Sequence, residues 1–389
     1  MTPGYEEILD LLKSRLKGVN LRLSILKNLA AVTYAFLILS KGGRSGNGKL
    51  SLSALARAFY AEGTQKSRFK RLSRFLNNRF FSSEVIVPYL IYFVIGIPNE
   101  SFIPVVIDQT AIGTVQVIMA GVLFSGRVLP VAFTCFLYEK IYKSQNMLEA
   151  GFLTLIRGCF PVGQKPVFIM DRYYGRLQLI RAVNRMRGLY IVRAKSNVIL
   201  WVGDKAKALS RLSHKAGKAV RYCNVLYRKD KKEPVDVIIY AERGFKDVWY
   251  LVVPAGSESI LPTEEVVRLY RARMQIEQGF RDWKTHLGVR GLKLKIDRDI
   301  RLTRLLFALS VAYLLIVLLG ASALGVSLRK KFETQRTKPR HGTTRSLSVL
   351  TLGTAMLASA ERYPEVISQL LHIIHALKNL SALSLMKSS

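Results

Sequence analysis

Between Tyr270 and Lys284 the chain reads YRARMQIEQGFRDWK, and four of its side chains could work together on a phosphate. They are a phenol (Tyr270), a guanidinium (Arg273), a carboxylate (Glu277) and an ammonium (Lys284). At roughly 100° per residue all four fall within a sector of about 60° on one helix. Leu269, Ala272, Ile276, Phe280, Trp283 and Leu287 step by three and four beside them, so the helix reads as an anchoring face next to a working face. Pro262 and Thr263 followed by Glu264 and Glu265 mark its capped, acidic start, and Lys284 and His286 lie toward its end. Taken alone, Arg273 and Glu277 are an ordinary surface pair four residues apart, worth a few tenths of a kcal/mol.

One glutamate is not a site, so the elements upstream have to supply partners. Strand signals begin after Pro98: FIPVVI (Phe102 to Ile107) ends in Asp108-Gln109-Thr110, and QVIMAGVLF and VLPVAFTCFLYEK follow. After the helical NMLEAGFLTLIRG, the run Pro166 to Met170 ends in Asp171-Arg172; a helix over roughly Arg176 to Met186 then leads to the strand LYIVRAK. Both aspartates thus stand at the carboxyl ends of apolar strands, where side chains of a buried sheet emerge into a crevice. An aspartate there is also commonly a turn residue or a helix cap.

The pattern as a whole resembles the signature of the bacterial insertion-sequence DDE transposases that carry a YREK motif around their last catalytic acid: Tyr270, two residues, Arg273, three residues, Glu277, six residues, Lys284. The resemblance implies a mixed α/β, ribonuclease-H-like catalytic core with Asp108 and Asp171 as the first two acids and Glu277 as the third. The contexts Asp108-x-Thr110 and Asp171-Arg172 also look like the family's, although Tyr173-Tyr174 stands where many members have Gly-Phe. Between Asp171 and Glu277 the chain is longer than a compact ribonuclease-H fold needs. It carries the strand-like runs VILWV, AVRYCNVLY, VDVIIYA and VWYLVV, with the turn KDKKEP between the second and third, matching the all-β insertion of that family.

Three converging carboxylates without histidine or cysteine are hard oxygen ligands, suited to a pair of Mg²⁺ ions, with Mn²⁺ as a substitute. Such a pair activates a water or a 3′-hydroxyl on one side of a phosphate and stabilises the leaving oxygen on the other. No covalent enzyme–DNA intermediate is then needed, so Tyr270 reads as a phosphate contact instead of a nucleophile. Arg273 can make a forked contact to a DNA phosphate and Lys284 a point-charge contact. The resemblance implies that these three hold the transposon's terminal phosphate. It also assigns Trp249, in VWYLVV, a role in stacking on a base extruded when the second strand is cut through a hairpin.

Composition agrees with a polyanionic partner. The 389 residues carry a formal net charge of +34, far more than solubility needs, while 50% of them are hydrophobic and can fill a sizeable core. Nucleic acid is the leading candidate, with an anionic membrane second; the resemblance implies DNA, as terminal inverted repeats and target DNA, handled by a homodimer in the synaptic complex. The three cysteines, Cys135, Cys159 and Cys223, lack metal-ligand spacing and read as buried thiols of a reducing compartment, which the resemblance implies is the bacterial cytosol.

Residues 1–98 read as a helical DNA-binding domain. Its fourth helix, Thr64 to Asn78, places Phe69, Leu72 and Leu76 inside and Lys66, Arg68, Lys70, Arg71 and Arg74 outside, free to grip DNA. Residues 99–195 and 259–328 form the two parts of the catalytic core around a β-rich insertion at 196–258. A loop covers Gly42 to Lys49, a basic linker 329–345, and a tail of two short helices 346–389. Leu305 to Leu328 is uncharged and long enough to span a membrane, but basic residues flank both ends, and it reads as a helix buried against the sheet. Together these features read as a cut-and-paste DNA transposase; the alternatives are a catalytically dead DNA-binding relic and a cationic membrane protein.

Overall fold

A computed structural model of the chain describes residues 4–41, 50–81, 87–94, 102–141, 143–160, 163–228, 232–244, 247–296, 298–333 and 347–379. The apolar runs after residue 101 become a meander: β1 (Phe102–Ile112), β2 (Val115–Phe124) and β3 (Arg127–Phe136), each antiparallel to the one before. The helix α6 (Gln145–Cys159) then crosses over to β4 (Lys165–Met170), and α7 (Leu177–Arg185) crosses to β5 (Leu189–Arg193). Strand β4 lies parallel to both β1 and β5, which makes the order β3-β2-β1-β4-β5, the ribonuclease-H-like arrangement. Both faces of the parallel strands are covered, so Val105, Val106, Ile107, Val167, Phe168 and Ile169 are all buried, as a two-sided sheet requires.

The β-rich segment does not fold away from this sheet but lengthens it. Strand β10 (Val248–Pro254) pairs antiparallel with β5, and β9 (Glu233–Ala241), β8 (Val220–Tyr227), β6 (Ile199–Val202) and β7 (Lys205–Ala208) follow outward. The result is one ten-stranded sheet.

Around it lie helices from both ends of the chain. The N-terminal ones are α1 (Tyr5–Arg15), α2 (Leu23–Ser40), α3 (Leu52–Ala58), α4 (Gln65–Leu76) and the single turn α5 (Ile91–Val94). After β10 come α8 (Thr263–Ala272), α9 (Gln275–Arg281), a π-helical turn at Asp282–His286, and the long α10 (Arg298–Ala321). Then follow α11 (Ala323–Phe332), α12 (Val349–Ala358) and α13 (Glu365–Lys378). Among the described residues two helices, α2 and α10, are long and apolar enough to cross a membrane, yet the apolar window of α10 is wholly buried. It packs on β3, α2, α12 and α13. The hydroxyl of Ser310 donates to the Leu306 carbonyl one turn back (2.7 Å), and that of Tyr313 donates to Asp282 (3.0 Å), so neither polar group is stranded. Gly320 and Gly353 let α10 and α12 touch along their backbones; a Cβ on either would strike a carbonyl of the other helix, Val349 or Ile316.

Several sequence expectations shift. The uncharged run Leu305 to Leu328 is not one helix: Ser322 accepts the Gly325 amide (3.1 Å) and caps a second helix, α11, whose last turns contain Arg329, Lys330 and Lys331 of the expected linker. On α4, Phe69 is 39% exposed and Phe75 takes its place in the core beside Leu72 and Leu76. Cys223 is exposed, and Cys135 and Cys159 are half-buried. The loop at Gly42 to Lys49 and most of the linker, residues 334–345, lie outside the described residues.

Candidate active site

The last pair of the parallel β1–β4 ladder is Ile107 with Met170, so Asp108 and Asp171 occupy the next position on adjacent strands. Asp171 directly follows β4, as its sequence context suggested. Asp108 does not end its strand: β1 continues to Ile112 because it stays paired with β2 after β4 has turned away. The crevice therefore opens at the end of the parallel ladder alone.

Glu277 arrives from the opposite side of the chain on α9. The helix expected over Tyr270 to Lys284 runs as α8, a tightened turn at Arg273 and Met274 that keeps helical backbone angles, α9 and the π-helical turn. Pro262 stands at the cap position and offers no side-chain bond, while Glu264 and Glu265 fill the first turn. The apolar stripe still holds, with Leu269, Ile276, Phe280 and Trp283 buried.

On that tightened turn Arg273 lies among the acids. Its guanidinium lies 3.1 Å from Asp108 Oδ2 and 3.5 Å from Glu277 Oε1, and only 8% of the residue is exposed. Its Nε has no hydrogen-bond partner among the described residues, a buried donor left over. Burial pushes the Asp108 carboxyl up to about 6. The amide of Gln109 (2.8 Å) and Arg273 oppose the rise, and the neighbouring charges of Asp171 and Glu277 add to it. These mutual effects place all three carboxyls in one electrostatic neighbourhood.

Lys284 donates to the Thr110 hydroxyl. Thr110 is two residues along β1 from Asp108 and on the same face, so Arg273 and Lys284 both close on one face of one strand. Burial, with Arg290 nearby, lowers the pKa of Lys284. Tyr270 is not on an open working face. It is 4% exposed, its ring lying edge-on to Trp249 with centroids 5.1 Å apart and under Arg273 at 5.8 Å. The structure thus brings Trp249, half-buried on β10, next to the Tyr270–Arg273 pair. It does so because the added strands extend the catalytic sheet beneath α8.

The cationic helix α4 stands apart from this cluster. Lys66, Lys70 and Arg74 are exposed, but two side chains expected outside are tied down. Arg68 donates to the Arg57 carbonyl (3.2 Å), and Arg71 donates to Asn28 (2.7 Å) while lying over Phe59.

Behind Asp171 the structure adds residues that the sequence did not single out. Glu149 of α6, 1% exposed, forms an ion pair with Arg176 at the entry to α7. Its carboxyl is raised by burial and held down by Arg176, and the charge of Asp171 raises it further. The loop between them is held by Asp171 Oδ1, which accepts the Tyr173 amide (2.8 Å), and by Tyr227, whose hydroxyl donates to the Gly175 carbonyl (2.8 Å). Gly175 has room for no side chain there, because a Cβ would press on the Arg193 carbonyl. No signal in the sequence could pair Glu149 with Arg176, since the contact exists only once two crossover helices lie on the same sheet face. The Tyr174 hydroxyl, buried near Glu149, Asp108 and Asp171, has no partner among the described residues.

An oxygen-only donor set, crowded enough to raise Asp108 and flanked by orphaned donors at Arg273 and Tyr174, fits a hard divalent cation with a phosphate beside it. Among the described residues, no three acids already stand as a closed metal-binding group. Comparison with known proteins gives a family model described as "Transposase DDE domain", which matches residues 120–315 and so takes in Asp171 and Glu277. No curated protein matches the chain.

Proposed function

The chain belongs to the transposase DDE-domain family, and from that premise we propose that it moves an insertion sequence of the YREK-bearing bacterial kind by cut and paste. It binds the element's terminal inverted repeats, cleaves both strands at each end, and joins the freed 3′-hydroxyls to target DNA. A homodimer brings the two ends together in the bacterial cytosol. The observation that carries this reading is the side-by-side placement of Asp108 and Asp171 at the end of the β1–β4 ladder, with Glu277 brought to them on α9 and linked to Asp108 by Arg273.

Asp108, Asp171 and Glu277 would hold Mg²⁺, or Mn²⁺ in its place. When bound, such ions polarise the scissile phosphate and lower the pKa of the attacking water or 3′-hydroxyl. The chain's own residues do the rest. Arg273 balances the acids and turns its leftover Nε donor toward a phosphate oxygen. Lys284, anchored on Thr110, adds a second cation on the same face. Tyr270 is a wall for Arg273 to lie against, and Trp249 beside it offers its ring for a displaced base to stack on. Lys66, Lys70 and Arg74 supply sequence-independent affinity through phosphates.

The test is a nicking assay on a duplex carrying the element's end, identified from matching inverted repeats in the DNA that flanks the gene. Cleavage that needs a divalent metal and leaves a 3′-hydroxyl supports the reading. A protein that binds the end and never cuts it is the relic, a reading disfavoured by the presence and convergence of all three acids. Association with membranes that survives high-salt and carbonate washing would favour the cationic membrane protein, against the enclosure of α10.

A further inference from the structure

On the other face of β1 from Asp108 and Thr110, Gln109 leads into a different kind of surface. Its Nε2 donates to the Tyr138 hydroxyl (3.0 Å) and to Gln116 (2.9 Å), and its Oε1 accepts from Gln145 Nε2 (2.8 Å). Gln145 Oε1 in turn accepts from the Tyr173 hydroxyl (3.1 Å), while its Nε2 also donates to the buried Glu149 (2.9 Å). Two tyrosines, one from the turn after β3 and one from the loop after Asp171, are therefore tethered by their hydroxyls to the same pair of amides. Their rings are left outside: Tyr138 is 53% exposed and Tyr173 47% exposed. Tyr173 is backed by Arg176 at 4.7 Å and Tyr138 by the edge of Phe136 at 5.7 Å, so each ring is stiffened from behind.

A tyrosine at the surface ordinarily turns its hydroxyl to water and its ring to protein. Here both hydroxyls are held by protein amides while the residues stay about half exposed, Tyr138 on Gln109 next to Asp108 and Tyr173 two residues from Asp171. The turn holding Tyr138 is further fixed by Glu139 with Arg298 (3.5 Å) and Lys140 with Asp299 (3.5 Å), and Arg172 is exposed alongside Tyr173. Held rings beside exposed cations, in a chain of charge +34, match one ligand chemistry: unpaired nucleobases on a polyanionic strand.

We infer that Tyr138 and Tyr173 form an aromatic shelf on which unpaired DNA bases stack, on the side of the scissile phosphate away from Arg273 and Lys284. This rests on the reading of the acids as the site of DNA cleavage. The strand arriving from beyond the element end, flanking DNA first and target DNA afterwards, lies on the shelf. The two sides of the acids then do different work. The Arg273 side grips a phosphate by charge, and the tyrosine side grips bases by their faces, without regard to their sequence.

The test places 2-aminopurine at single positions on either side of the cleavage point in end-containing duplexes and reads its fluorescence as the full-length protein binds. Quenching is expected at the one or two positions immediately outside the element and not at the equivalent positions inside it. Tyr138→Leu together with Tyr173→Leu, which keeps apolar bulk and removes the stacking faces, is expected to abolish that quenching. The same pair should weaken binding of a single-stranded flank by about tenfold per ring, the loss expected for one stacked base. Tyr138→Phe with Tyr173→Phe retains the quenching. Equal quenching by the leucine variant, or quenching confined to positions inside the element, overturns the shelf. Failure of the parent protein to bind the end or to cut it tells against the transposase reading itself, a result distinguishable from normal cutting without quenching.

Discussion

Two sets of basic residues in this chain look alike as sequence and are used in opposite ways. On α4, Lys66, Lys70 and Arg74 stand in solvent on a helix that is anchored by Leu72, Phe75 and Leu76. On α8 and the turns after it, Arg273 and Lys284 are drawn in, one onto Asp108 and Glu277 and the other onto Thr110. A solvated cation gives affinity that salt can screen, and a desolvated one gives position, because its partners fix its direction. The excess charge of the chain fits a polyanionic partner, while Arg273 and Lys284, unlike the buried Arg301 and Arg304 that join α10 to the end of α4, are fixed beside Asp108.

The comparison can be broken most sharply at the acids. Asp108→Ala, Asp171→Ala and Glu277→Ala are each expected to abolish cleavage and strand transfer while leaving end binding nearly intact, measured by cleavage assay and gel shift on one duplex. An acid whose loss leaves near-normal Mg²⁺-dependent cleavage would have to be reassigned. Next in size, Arg273→Gln should slow single-turnover cleavage by about a hundredfold, the scale of losing a preorganised donor to developing charge. It should leave the salt dependence of binding almost unchanged. If Arg273→Gln acts mainly on affinity, Arg273 belongs with the α4 set.

Replacing Lys66, Lys70 and Arg74 together by alanine should do the reverse. Binding weakens, the slope of log affinity against log salt becomes shallower by about 0.9 for each lost phosphate contact, and the bound fraction still cuts. Trp249→Ala is expected to nick the first strand and then accumulate nicked DNA with little hairpin, a loss of about 1–3 kcal/mol in stacking. Normal hairpin formation by the variant would return Trp249 to a packing role against Tyr270.

How far these sites could be read beforehand depended on the kind of contact. Strands β1, β4 and β10 announce themselves as apolar runs, and the aspartates at 108 and 171 punctuate the first two, while the ribonuclease-H-like core was implied by the family resemblance and the order of its strands is seen only in the structure. Strand β7 was missed because Lys205–Ala208 is only four residues long, with lysine on one face and alanine on the other and almost no burial, as an outermost strand can be. The tightened turn at Arg273 and Met274 carries no proline or glycine, and nothing local predicts it; both residues keep helical backbone angles while Arg273, Ile276 and Glu277 donate to carbonyls three residues back. Helix α10 begins earlier than its apolar run because Arg301 and Arg304 are absorbed by contacts to α4, with Asn77 (2.8 Å) and the carbonyls of Leu76 and Phe81. Glu149 and Arg176 were invisible for the same reason: each is ordinary until the fold pairs them.

A smaller effect concerns Asp282, 1% exposed, at the start of the π-helical turn between Glu277 and Lys284. Burial pushes its carboxyl up to about 6, against the pull of Arg127 (2.9 Å) and Tyr313. A carboxyl raised on folding favours the folded chain when protonated. Its contribution is full below the unfolded value near 4 and is lost as pH rises through about 6. Thermal melts of the parent and of Asp282→Asn should diverge over that window, the parent losing up to about 3 kcal/mol relative to the variant, and then run parallel above it. A constant difference from pH 4 to 8 would show that Asp282 stays ionised throughout.

The central claim is that Asp108, Asp171 and Glu277 together make a divalent-ion site beside bound DNA, and counting ions tests it most directly. Mn²⁺ uptake by the protein bound to an end-containing duplex, followed by electron paramagnetic resonance, should reach a pair of ions per chain. Each of Asp108→Asn, Asp171→Asn and Glu277→Gln should lose at least one of them while still holding the DNA. The same Mn²⁺ count in the parent and all three variants would contradict the account.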